Sequence, residues 1–112
     1  MKLKTYMGID PGQGGAVGVI VDGGFAYTED WPGDEMGAAA ILRDLVISND
    51  IVLCALELVG SFSPAGRKQG GSSMFKFGTS FGIWRGILAA LQIPFILVRP
   101  QEWQKGLVIK RQ

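Results

Sequence analysis

The chain has 112 residues, 47% of them hydrophobic and 19% charged, which fits one globular domain with its own core and excludes a disordered chain. Histidine is absent, so Ser-His and Cys-His nucleophile pairs and His-ligated zinc are excluded, and the single Cys54 has no partner for an intrachain disulfide. The net charge of +1 hides a division: residues 1–57 carry nine acids and three bases, whereas residues 58–112 carry one acid, Glu102, and eight bases. A basic half of this kind predicts a polyanionic partner, unless the two halves simply neutralise each other.

The stretch Lys4 to Asp10, with the glycines after it, reads KTYMGIDPGQGG. An apolar run meeting a Pro-Gly breaker predicts a buried strand ending at the edge of a sheet, with Asp10 at its mouth. There the carboxylate either shapes the turn or serves a ligand site. Gly15 to Asp22 and Phe25 to Asp30 read as two more strands, and the Gly23-Gly24 link predicts a hairpin. The three together predict an antiparallel meander, broken by Trp31-Pro32-Gly33. Asp34 is placed as a helix N-cap, and Ala38, Ile41, Leu42, Leu45 and Val46 recur at helical spacing.

Ile51 to Leu58 (IVLCALEL) is a nearly continuous apolar run, as expected for a strand in parallel pairing. Glu57 stands out in it, because a carboxylate among aliphatic side chains is costly unless paired, protonated, metal-bound or partly exposed. If this strand runs parallel to the first, Asp10 and Glu57 open on one side within reach of one cation. Two oxygen donors without softer ligands favour Mg²⁺ or Mn²⁺ over zinc.

Gly60 to Gly71 (GSFSPAGRKQGG) reads as a loop carrying Arg67 and Lys68, suited to phosphate contact or simply an exposed surface loop. Ser72 and Ser73 are placed as caps of a helix over Met74 to Gln92. Along it runs an apolar stripe of Phe77, Phe81, Trp84, Leu88 and Leu91. Gly78, Gly82, Gly86 and Ala90 form a flat second seam, for packing within the fold or for a homodimer. Ile93 to Val98 reads as the fifth strand, and Pro100 to Trp103 as a short helical turn before the basic end.

GIDPG with Asp10, the strand bearing Glu57, the helix start SSMFKFGTSFG and the later IPFILVRPQEW resemble the RuvC-like Holliday junction resolvases, especially the phage and prophage type. The resemblance covers nearly the whole chain. It implies a ribonuclease-H-like α/β fold: a mixed five-stranded sheet made of a three-strand meander, then helix, strand, helix, strand. It also implies a metal-dependent, structure-selective DNA endonuclease acting on four-way junctions or related branched DNA. Asp10 and Glu57 match the first two of the family's four metal-binding acids, as catalytic residues holding Mg²⁺ or Mn²⁺. Hydrolysis leaving 5′-phosphate ends is implied with them. Arg67, Lys68 and Lys76 would contact backbone phosphates. A homodimer is the natural form for a substrate with two symmetric strands.

The family carries two further acids on a C-terminal helix, and Glu102 lies in the wrong element to supply them. The expectation is therefore a single nuclease domain lacking its last helix, truncated or degenerate, and weak or inactive alone. No secretory signal or bilayer-length apolar run is visible in the sequence, so a cytoplasmic location is expected, in a bacterium or a phage-infected host. Two other classes compete. The glycines after Asp10 also resemble the first phosphate loop of the actin-like ATPases and sugar kinases. The missing acids fit a non-catalytic DNA-binding or dimerisation module.

Overall fold

A computed structural model describes residues 2–12, 15–58 and 71–99. The elements follow in the expected order: β1 (Lys4–Asp10), β2 (Ala16–Val21), β3 (Phe25–Asp30), α1 (Glu35–Ser48), β4 (Asp50–Glu57), α2 (Gly71–Ala90) and β5 (Phe95–Val98). They form one five-stranded sheet in the order β3-β2-β1-β4-β5. The meander is antiparallel, and β4 and β5 join parallel to β1 and to each other. The parallel strands β1, β4 and β5 therefore share one carboxyl rim.

Local chemistry accounts for the joints. The β2–β3 hairpin closes through Asp22, Gly23 and Gly24, where the Gly24 N–H donates to the Val21 carbonyl at 3.0 Å. Gly23 and Gly24 adopt φ of 104° and 97°, a backbone state that side chains other than hydrogen resist. Asp34 caps α1: its Oδ1 accepts from the Gly37 N–H at 2.8 Å, satisfying one of the orphan donors of the first turn.

Alternation sorts each strand into two faces. Thr5, Met7 and Ile9 of β1, Val17, Val19 and Val21 of β2, and Cys54 and Leu56 of β4 point to the helix side, where Ala38, Leu42, Leu45, Trp84 and Leu88 close the core. On the opposite face Tyr6 and Ile20 remain 45% and 57% exposed, and no helix among the described residues covers them. The run in β4, expected to be buried throughout, is buried on one face only: Cys54 and Leu56 are enclosed while Ile51, Leu53 and Ala55 are half-buried and Val52 is exposed.

The β1–β4 register shifts once. Thr5 pairs with Ile51 but Tyr6 pairs with Leu53, so Val52 is an extra residue in β4. The helix α2 starts at Gly71, earlier than the Met74 expected, and stops at Ala90. Its heavy stripe turns inward, with Trp84 and Leu88 fully buried. The seam of Gly78, Gly82 and Gly86 faces outward, and a Cβ at any of the three would meet nothing within 4 Å. Residues 100–112, including the expected turn at 100–103, lie outside the described residues.

Burial pushes the Cys54 thiol from its ordinary value of 9.0 up to about 12. The unfolded chain ionises this thiol first, so stability is lost as pH rises from about 9 towards 12. The expected result is a thermal midpoint that falls above pH 9 and falls less in Cys54→Ala, measured by circular dichroism across that range. Native Cys54 should also react with a thiol reagent only as fast as the chain opens.

Candidate metal centre and nucleic-acid interface

β1 and β4 bring the two singled-out acids to the same place. Ile9 pairs with Leu56, so Asp10 and Glu57 occupy the next rung of the parallel ladder, on adjacent strands and on the face away from the helices. Asp10 also sits opposite Ala16 on β2, and Glu57 opposite Val98 on β5. Two rungs earlier, on the same face, Gly18, Gly8 and Ala55 lie side by side across β2, β1 and β4. These small residues make the floor of a groove of about 640 Å³ whose lining includes both Asp10 and Glu57. With no side chain larger than methyl at that level of β2, β1 and β4, the approach to the acids over these three strands stays open.

Asp10 is exposed and Glu57 is half-buried. Asp10 Oδ1 accepts from the Gly12 N–H at 2.9 Å, an Asx turn that fixes the carboxylate at the strand's mouth. The turn and the ligand readings of Asp10 are thus compatible, since one oxygen shapes the backbone and the other is left for a ligand. The donor set is all oxygen and doubly anionic, which suits a hard divalent cation. Among the described residues no group of three or more His, Cys, Asp or Glu is assembled.

Lys76 lies elsewhere, on the exposed side of α2. It lines a hollow of about 260 Å³ with Trp31, Phe75, Thr79, Ser80 and Ile83. Phe75 there is 74% exposed. Arg67 and Lys68 lie outside the described residues. Arg99, absent from the sequence-based candidates, directly follows Val98 at the carboxyl rim, and only the position of the β5 terminus reveals it. Sequence reading also assigned Trp84 to the core stripe alone. Its ring closes on Trp31 edge to face, with centroids 5.7 Å apart at 72°, beneath the segment that leaves Asp10.

Among the described residues no helix is long and apolar enough to cross a membrane. No family model matches the sequence, and no curated protein matches it. The fold is similar to that of T. thermophilus RuvC in complex with Holliday junction substrate, with a TM-score of 0.66 and 16% sequence identity over 97% of this chain and 73% of that one. The likeness establishes a ribonuclease-H-like α/β fold.

Proposed function

We propose, starting from a ribonuclease-H-like sheet that carries two acids on one rung, that this chain is the nuclease domain of a metal-dependent, structure-selective DNA endonuclease. Its substrate is a Holliday junction or related branched DNA, and the reaction is phosphodiester hydrolysis. The observation that carries the reading is the Asp10–Glu57 rung at the shared carboxyl rim, beside an open groove. Support comes from the structural neighbour, which is a RuvC bound to a Holliday junction, and from the basic second half of the sequence.

Asp10 and Glu57 would hold Mg²⁺ or Mn²⁺, with Asp10 presented by its Asx turn and Glu57 by the end of β4. When bound, such cations polarise phosphoryl oxygens, activate water and offset charge at the leaving oxygen. The chain's own part is placement. The rigid ladder between β1 and β4 holds the two carboxylates side by side, and the Gly18–Gly8–Ala55 floor leaves room for a strand to approach. Arg67, Lys68 and Lys76 would grip backbone phosphates, setting affinity and its salt dependence without reading sequence. The exposed Gly78–Gly82–Gly86 seam supports a two-fold homodimer, since backbones approach closely where side chains are absent.

The kinase-like reading is less favoured. Two backbone donors of the glycine turn are already committed, Gly12 N–H to Asp10 Oδ1 and Gly15 N–H to the Gly12 carbonyl. The deciding experiment incubates a synthetic four-way junction with the chain and Mg²⁺ or Mn²⁺. Slow cation-dependent nicking near the branch point, absent on linear duplex, is the expected result for a chain that supplies Asp10 and Glu57 alone. Junction binding without nicking at any cation concentration would instead mark a non-catalytic binding module.

A further inference from the structure

Trp84 is fully buried in α2, and its indole Nε1 is the one buried side-chain polar atom without a hydrogen-bond partner among the described residues. Buried donors are nearly always satisfied, so this one calls for a reason. The indole lies against the link from β1 to β2. A Cβ built on Gly15 would stand 3.0 Å from Trp84 Nε1, 3.5 Å from its Cζ2 and 3.6 Å from the Asp10 carbonyl oxygen. Gly15 also has φ of 68°, so both space and backbone favour glycine there.

From this seat a short series of contacts leads to the carboxylate. Gly15 N–H donates to the Gly12 carbonyl, and Gly12 N–H donates to Asp10 Oδ1. Trp31, packed edgewise on Trp84, clamps the same point from above: its backbone N–H donates to the Gly15 carbonyl at 3.1 Å. We infer that Trp84 is a positioning residue for Asp10: its indole edge is the stop on which Gly15 seats, and that seat keeps the Asp10 carboxylate on the rung of Glu57. The inference rests on the metal-site reading above. Trp84 touches neither substrate nor cation in this role and acts only through the turn.

Two substitutions disturb the seat in opposite senses. Trp84→Phe keeps an aromatic ring in the core but withdraws the stop, so the turn loosens. Gly15→Ala fills the gap and pushes the turn outward. The test titrates the chain and both variants with Mg²⁺, following the thermal midpoint and the indole N–H resonances in ¹H–¹⁵N spectra. Trp84 is assigned as the indole resonance missing from Trp84→Phe. Half-saturation is expected at about tenfold higher Mg²⁺ in each variant, the scale found when groups supporting metal ligands are removed. The Trp84 resonance should move with Mg²⁺ in the parent chain and stay fixed in Asp10→Asn. A purely structural Trp84 would lower the metal-free midpoint without changing half-saturation. Should Trp84→Phe fail to fold, Gly15→Ala still decides, with the Trp84 resonance assigned as the one that remains in both Trp31→Phe and Trp103→Phe. Unchanged half-saturation with a stationary resonance overturns the positioning role alone. A parent chain that shows no Mg²⁺ response overturns the metal-site reading, and this role falls with it.

Discussion

Asp10→Asn is expected to leave the metal-free chain as stable as the parent or slightly more so, and to remove the thermal shift on adding Mg²⁺ or Mn²⁺. The asparagine side-chain oxygen still accepts from the Gly12 N–H, so the turn that Asp10 shapes survives. What is lost is negative charge next to Glu57, and two carboxylates on one rung repel until a cation joins them. Cleavage of a four-way junction, where the parent supports it, should fall by about a hundredfold or more, since a direct ligand matters at least as much as the groups that orient one. Junction binding, set mainly by phosphate contacts, should change little. Calorimetry, a cation titration and a gel assay together separate these effects. An Asp10→Asn chain that keeps its full cation response would remove the metal assignment.

The second large effect concerns stability. Leu42 of α1 is fully enclosed in the core that α1, α2 and the helix-side strand residues share. Leu42→Ala should cost about 2–5 kcal/mol, combining lost transfer energy with a cavity the close-packed sheet cannot fill. Against a typical total of about 5–15 kcal/mol, that lowers the thermal midpoint by roughly 10 °C or more. Substituting Ile20, 57% exposed on the opposite face, should cost far less. The contrast, measured by thermal denaturation, tests which side of the sheet holds the core. Equal losses at Leu42 and Ile20 would mean that the helix-free face is covered as tightly as the other.

Much of the architecture was legible because it is written in local chemistry. The Asp34 cap, the glycines of the β2–β3 hairpin and the spacing of Ala38, Leu42 and Leu45 each specify their element within a few residues. The parallel placement of β4 followed from a long aliphatic run and the helix before it. Features that depend on distant partners were less legible. Gly71 reads as loop by composition, yet α2 begins there. The two seams of α2 both had helical spacing. Packing chose the heavier one, since Trp84 and Leu88 bury far more apolar surface than glycines do. Half-burial of β4 was hidden for the same reason, because hydropathy records what a residue prefers and not what covers it. At the candidate site, sequence supplied Asp10 and Glu57 but not their common rung, and it gave no hint that Trp84 sits beneath Gly15.

That rung depends on the surplus residue in β4. Were Val52 instead taken into the ladder, opposite Tyr6 in unbroken step, Asp10 would stand opposite Leu56, and Glu57 would swing round among the helices. The two acids are thus matched by a miscount between strands, located far from either and marked by no unusual side chain. Change at this site is therefore constrained in length more than in letter: one residue more or one fewer between Leu53 and Glu57 moves Glu57 off the level of Asp10, whereas loss of Val52 itself leaves Tyr6 opposite Leu53 and the two acids matched.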